Sequence, residues 1–386
     1  MKILVLASDN PSPPINGTRI RNFHLWREVR ALGHEVKVLA LTRRFEDLAG
    51  SSDAIEFFRF TRKSLPRRAW KRLTRSYHEW PVSDSLRARV QELCRTWGPD
   101  IVHAEELRMG AYLPQGARFL TSVCVHNVES DLIRKTKAAP LPVAVPLFNW
   151  IYRRNLIRFE HAVFSRAGLR LAYSRVDQKR YEALYPALPF AVTSNGVNPV
   201  GLRPSTPSPP ATKVLFLGSL SYLPNVEGLF WFLDEVKPRL PKTVELVVAG
   251  STPTEEVKAR LHQEGVTLHD TPLDLGPIYE AASLLIVPLL SGSGTRGKIL
   301  EALMYGRPVL TTSKGVEGLE LGPEHGILRA DGAGDFTAAL ENWTKLSVAD
   351  REALGRAGHE AVSSRFTWRS VAVDLLETWE RARGRG

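Results

Sequence analysis

Val287-Pro288-Leu289-Leu290-Ser291-Gly292-Ser293-Gly294-Thr295-Arg296-Gly297-Lys298-Ile299-Leu300-Glu301-Ala302 is the stretch from which the fold reads outward. The apolar run 284–290 predicts a buried strand, a Gly/Ser loop follows, and a helix is expected to open at Thr295 or Arg296. Strand, glycine loop and helix in succession aim free backbone N–H groups and the positive end of a helix dipole at one point, which suits a phosphate. Arg296 and Lys298 add full positive charges there, and Glu301, one turn inside the helix, offers a carboxylate to hydroxyls. Cations beside one carboxylate fit a nucleotide sugar, diphosphate on the former and ribose on the latter.

Two other motifs nearly match this loop. Gly292-x-Gly294-x-x-Gly297, with Glu317 twenty residues on, satisfies the dinucleotide fingerprint. The same residues read as a P-loop, Gly292-x4-Gly297-Lys298, but Ile299 stands where a Ser or Thr must hold Mg²⁺. Both motifs usually follow the first strand of their domain, whereas several β/α units precede this one. A Gly-rich turn with no ligand is the remaining alternative.

With 386 residues, 43% hydrophobic and 24% charged, the chain has room for two α/β cores. No apolar run approaches the ~20 residues of a membrane span. Residues 1–10 read as a first strand rather than a signal peptide. Cys94 and Cys124 are expected as buried thiols, which points to the cytosol. No Cys/His ligand spacing and no Asp-x-Asp occurs, so neither a bound metal nor a separate cofactor is expected. The formal charge of +11 is uneven: seven of the fourteen residues 62–75 are Lys or Arg, and a second basic stretch, 134–158, surrounds Trp150. Basic residues interleaved with Trp and Leu fit the anionic inner face of a membrane. A solvated basic face is the alternative; no nucleic-acid-binding motif accompanies the charge, so nucleic acid is not expected as a partner.

Working outward, strands are expected at 3–7, 35–41, 55–60, 101–104, 119–126, 169–173 and 190–194, with helices at 19–32, 83–97, 145–166 and 175–185. A Pro/Ser-rich linker spans 198–212. The alternation then restarts with strands at 214–217, 245–249, 267–269, 284–290 and 308–312, and helices at 225–239, 255–264 and across most of 335–380. Strands joined by single helices imply parallel sheets with right-handed crossovers. Ligands in such sheets bind beyond the carboxyl ends of the strands.

Several segments resemble the retaining glycosyltransferases of family 4. Pro14-x-Asn16-Gly17-x-Arg19-x-Arg21-Asn22 with Leu32-Gly33-His34-Glu35-Val36 is similar to their glycine loop and second strand. Val125-His126-Asn127-Val128-Glu129 is similar to the mid-domain histidine segment, and Ser194-Asn195-Gly196-Val197-Asn198 to the hinge. Leu215-Phe216-Leu217-Gly218-Ser219-Leu220 with Pro224-Asn225-Val226 resembles the start of the donor domain. The most specific likeness is Gly294-Thr295-Arg296-x-Lys298-Ile299-Leu300-Glu301-Ala302-Leu303-x-x-Gly306-x-Pro308-Val309. Phe366-Thr367-Trp368 fits the entry to the closing helix.

The resemblance implies an α/β protein of GT-B architecture, two Rossmann-like doubly wound domains facing across a cleft. Residues 1–197 would bind the acceptor and 213–366 the nucleotide sugar, with 367–386 a closing helix that packs back on the first domain. It implies metal-independent transfer, with retention, to a glycan or lipid-linked acceptor. Ser293 stands where the family has the first of two glutamates, Ser219 where it has a diphosphate-gripping arginine, and Gly297 where a bulky apolar residue is common. Arg296 and Lys298 are therefore expected to clamp the phosphates, with Gly17, Ser219, Ser293, Gly294 and Thr295 around the donor and Glu301 on the ribose. His126 is expected to meet the transferred sugar or the acceptor, and Arg19 and Glu129 to lie on the acceptor side, Glu129 as a base. Asn195 and Gly196 shape the hinge, and Glu317 is a candidate for a sugar hydroxyl. A nucleotide-sugar epimerase and a non-catalytic nucleotide-sugar binder fit the same pattern.

Overall fold

A computed structural model describes residues 1–14, 17–42, 55–59, 83–116, 118–126, 128, 145–202, 212–292 and 297–384. The basic run 62–75 and the site candidates Glu129, Ser293, Gly294, Thr295 and Arg296 lie outside the described residues. The chain forms two compact units, Met1–Ser194 with Val371–Gly386, and Asn195–Ser370.

In the first unit, seven parallel strands are described: β1 (Lys2–Ala7), β2 (Glu35–Thr42), β3 (Ile55–Arg59), β4 (Ile101–Glu105), β5 (Leu120–Val125), β6 (Leu169–Ala172) and β7 (Ala191–Val192). Their order is β3-β2-β1-β4-β5-β6-β7. Ile3, Leu4, Val5 and Leu6 are all fully buried, because a parallel sheet is covered on both faces and its strands read as continuous apolar runs. Helix α1 (Gly17–Ala31) follows β1 and ends at Gly33, whose φ of 89° suits glycine just past a helix end. Helix α2 (Asp84–Thr96) is capped by Ser83, which accepts from Leu86 N at 3.3 Å. Helices α3 (Val145–Arg166) and α4 (Arg175–Leu184) flank β6.

The second unit has a six-stranded parallel sheet: β8 (Thr212–Leu217), β9 (Val244–Gly250), β10 (Thr267–Asp270), β11 (Leu284–Val287), β12 (Val309–Thr311) and β13 (Ile327–Arg329), ordered β10-β9-β8-β11-β12-β13. Its described helices are α5 (Leu223–Trp231), α6 (Glu255–Gln263), α7 (Gly276–Ala281), α8 (Gly297–Met304), α9 (Ala333–Lys345), α10 (Val348–Arg365) and α11 (Trp368–Arg383), the last crossing into the first unit.

Three expectations differ from what is observed. The strand expected over 284–290 stops at Val287, where Leu289 N turns back to Val287 O at 2.9 Å. The single helix expected over 225–239 is α5 followed by a π turn (Phe232–Val236) and a 3-10 turn (Lys237–Arg239). Pro238 has no N–H to give the carbonyl of Asp234, so the α pattern cannot continue through it. Strand β13 was not expected: three residues are too short for a periodic signal, and Gly326, at φ 73°, precedes them.

Helix α5 runs unusually close to the turn after β11. A Cβ on Gly228 would lie 2.3 Å from the carbonyl oxygen of Pro288. Gly228→Ala is therefore expected to lower stability by about 1–3 kcal/mol through overpacking, although alanine is the better helix former by ~1 kcal/mol. Urea unfolding measures the balance, and an unchanged or raised midpoint would contradict the close approach.

Candidate active site

Each sheet has a switch point where the strand order reverses, between β8 and β11 in the second unit and between β1 and β4 in the first. Open α/β sheets bind ligands beyond the carboxyl ends of the strands at such points.

In the second unit, hydroxyls on and after β12 fix the turn that leaves β11. Thr311 Oγ1 donates to Val287 O at 3.0 Å and Thr312 Oγ1 to Leu289 O at 2.5 Å. Helix α8 then presents Lys298 in its first turn. Its Nζ donates to Leu217 O (2.6 Å), at the end of β8, and to Asn225 Oδ1 (3.0 Å), and lies 5.5 Å above the Phe216 ring. Buried Asn225 is itself held by Nδ2 donating to Ser219 O at 2.9 Å. A Cβ on Gly218 would sit 2.6 Å from Asn225 Nδ2 and 2.9 Å from Lys298 Nζ, so any side chain there would push the amide and the ammonium from their places. A cation in the first turn opposes the helix dipole; here these oxygens and the ring offset that cost.

Glu301 follows one turn later and keeps part of its surface accessible. Its Oε2 accepts from Tyr279 OH at 3.3 Å, and Tyr279 stacks on Tyr305 at 4.8 Å. Burial pushes the Glu301 carboxyl up from its ordinary value, outweighing the Tyr279 hydrogen bond and the Lys298 charge. Ser219 Oγ stands 3.3 Å from Ser221 Oγ and 3.4 Å from Thr252 Oγ1, and the latter two are 2.8 Å apart. In this exposed hydroxyl ledge Thr252 (φ 51°), and beside it Thr271 (φ 49°), are β-branched residues in the left-handed region. Such strain persists only where surroundings enforce it. Glu317 is ion-paired with Lys314.

In the first unit, Gly17 opens α1, and a Cβ there would meet nothing within 4 Å. Arg19 makes a two-pronged ion pair with Asp9, at 2.7 and 3.0 Å. His126 directly follows β5; its Nε2 bonds Glu105 Oε1 at 3.0 Å and its ring stacks on Tyr173 at 4.3 Å. The sequence reading missed Glu105. It ends β4, is fully buried, and collects Arg21 Nε (3.1 Å), His103 Nε2 (2.9 Å) and Tyr173 OH (3.0 Å) as well as His126. Arg21 also donates to Ser194 O (2.6 Å) and Thr193 Oγ1 (3.2 Å) and lies 4.5 Å over the Tyr173 ring. Burial by itself pushes the Glu105 carboxyl up; the Arg21 charge and the hydrogen bonds from His103 and His126 more than offset it and hold it well below the usual carboxylate range. Because that carboxylate only accepts, Nε2 of His126 carries the hydrogen and Nδ1 faces away from Glu105. Among the described residues no group of three or more His, Cys, Asp or Glu side chains is arranged to hold a metal ion.

Comparison with known proteins agrees with this layout. Residues 15–200 match the family model described as Glycosyltransferase Family 4, and residues 211–345 the one described as Glycosyl transferases group 1. The chain is 34% identical over 124 residues to an uncharacterised protein of the cps region of Klebsiella pneumoniae, covering 29% of this chain and 31% of that one. It is 30% identical over 182 residues to a D-inositol 3-phosphate glycosyltransferase of Xylanimonas cellulosilytica, covering 44% and 42%. Both alignments thus span less than half of the relative's length. Among solved structures it resembles sucrose-phosphate synthase from Thermosynechococcus elongatus, with a TM-score of 0.72, 16% identity and 100% of each chain covered. It also resembles Anabaena HepE in complex with UDP-glucose, with a TM-score of 0.67, 16% identity and 99% and 100% covered. At such identities the structures speak for the fold, the two Rossmann-like domains of GT-B proteins, while the two family models, one in each half, assign the lineage: the chain belongs to the family 4, group 1 glycosyltransferases.

Proposed function

We propose that the second unit binds a nucleoside-diphosphate sugar, its diphosphate on Lys298 and Arg296 and its ribose on Glu301, for transfer of the sugar with retention of configuration and without a metal. The observation that carries this is Lys298, whose ammonium is pinned to the carboxyl end of β8 at the sheet's switch point. Charge growing on a nucleoside-diphosphate leaving group is stabilised best by a cation that need not reorganise. The UDP-glucose in the HepE structure fits the same donor class. Ser219, Ser293, Gly294 and Thr295 line the donor in this reading; in the first unit, Gly17 is assigned to the donor, Arg19 to the acceptor and His126 to the transferred sugar or the acceptor.

The acceptor we favour is a lipid-linked or cell-envelope glycan met at an anionic membrane on the cytoplasmic side. Trp150 is 57% exposed on α3, Arg154 lies 5.5 Å over its ring, and Arg158 is exposed one turn further on. Residues four apart share a helix face, so these three make an aromatic and basic stripe suited to headgroups. No helix among the described residues is long and apolar enough to cross a membrane.

A thermal-shift screen of nucleoside diphosphates and their sugars tests the donor reading. At a hundred times Kd a true donor stabilises by about 2.7 kcal/mol, a rise of roughly 5–10 °C for units of this size. Lys298→Ala, Arg296→Ala and Glu301→Ala are each expected to lose most of that rise. No rise with any nucleotide would sink the reading. Conversion of the nucleotide sugar without an acceptor would indicate an epimerase, and binding without turnover a sensor.

A further inference from the structure

Beside Glu105 lies a second carboxylate whose backbone is strained. Glu106 has φ 81° and ψ 149°, a region almost reserved for glycine. It is the first residue past β4, at the switch point between β1 and β4. Its backbone is held from both sides, Glu106 N donating to Cys124 O at 3.0 Å and Met109 N to Glu106 O at 3.1 Å. The side chain keeps 23% of its surface exposed, and Oε1 stands 3.6 Å from His126 Nδ1 and 3.4 Å from Thr18 Oγ1.

The gap to His126 is too long for a hydrogen bond. Since Glu105 holds the ring through Nε2, Nδ1 is turned toward Glu106. Both groups then present lone pairs side by side, Nδ1 as the ring nitrogen without the hydrogen and Oε1 as a carboxylate oxygen. Two neighbouring sugar hydroxyls can each donate to one of them. Charge narrows what sits there. Arg19 is matched by Asp9 and Arg21 by Glu105, so Glu106 puts negative charge at the start of α1. A phosphate at this helix start would face that carboxylate, whereas a neutral sugar would not. Resting on the glycosyl-transfer reading, we propose that Glu106 is a substrate-contacting residue that, with His126 Nδ1, accepts hydrogen bonds from neighbouring hydroxyls of a neutral sugar in the first unit.

The test uses the full chain, Glu106→Gln and Glu106→Gly. The probes are UDP-glucose, UDP-galactose, UDP-N-acetylglucosamine and GDP-mannose, followed by melting and by release of nucleoside diphosphate with water as acceptor. Both variants are expected to keep the wild-type melting shift with the nucleoside diphosphate, which the second unit binds. Turnover should fall on the order of 10- to 100-fold, as for loss of a hydrogen bond to a charged group. Glu106→Gly should also melt higher than wild type without ligand, by about 2–4 °C, as strain is relieved. Turnover of Glu106→Gln within twofold of wild type, loss of its nucleotide shift, or a Glu106→Gly variant melting at or below wild type would each overturn the assignment. A wild-type chain that shifts with no nucleotide fails the donor reading instead, and with it the reading on which this assignment rests.

Discussion

Glu105→Ala is expected to destabilise the first unit by about 3–5 kcal/mol, the range for a buried ion pair broken from one side. The mutation leaves Arg21 charged and fully buried, and removes the shared acceptor of His103, His126 and Tyr173. Replacing both members of the pair with apolar residues, Arg21→Met with Glu105→Leu, should recover part of the loss, because no lone charge then remains. Urea midpoints of the two singles and the double measure the coupling; strictly additive losses would show that the pair is not coupled. The same carboxylate makes stability depend on pH. Its folded pKa is held below the ordinary value near 4.3. Below about pH 5 the unfolded chain therefore binds the proton first, and stability rises with pH in that window. The contribution is complete above the unfolded pKa and is lost as pH falls through the folded one. Wild type should lose stability on acidification more steeply than Glu105→Ala.

Trp379→Ala is the second large effect, about 3–5 kcal/mol for truncating a fully buried tryptophan. The ring lies flat on Trp26, at 6.1 Å and 6°, with His103 edge-on at 5.3 Å, and its Nε1 donates to Ser122 Oγ at 3.1 Å. Ser122 Oγ in turn meets His103 Nδ1 at 3.1 Å. The tryptophan thus backs the histidine that backs Glu105. Trp379→Phe keeps most of the apolar contact and gives up the hydrogen bond, so it should cost nearer 1 kcal/mol beyond the lost ring area. Calorimetry that resolves two transitions should show the first unit's melting fall while the nucleotide-dependent transition stays put. A drop below about 1 kcal/mol for Trp379→Ala would mean that α11 contributes little to the unit.

The layering was legible because strands buried on both faces announce themselves as runs such as residues 3–6 and 284–287. Ser83, Gly33 and the helix over 145–166 could be placed for equally local reasons. Glu105 could not. Adjacent glutamates after a strand look like a solvated loop, and what buries the first is an arginine 84 positions earlier together with His103 of its own strand and His126 and Tyr173 from the ends of two others. The strain at Glu106, Thr252 and Thr271 is equally silent, because none of the three is a glycine or asparagine that would mark a left-handed turn. Lys298 was legible as a cation at a helix start. Its anchor was not, since Leu217 contributes a backbone oxygen that any residue would supply.

The position of Trp379 also has a bearing on the order in which this chain acquires its form. Residues up to Ser194 leave the ribosome well before the segment from Val371 that completes the same unit. At about 5–20 residues per second, the intervening chain takes on the order of ten seconds or more to be made. During that interval Trp26 waits without its stacking partner. The nascent amino-terminal half therefore keeps the Trp26 face uncovered until the segment from Val371 has emerged.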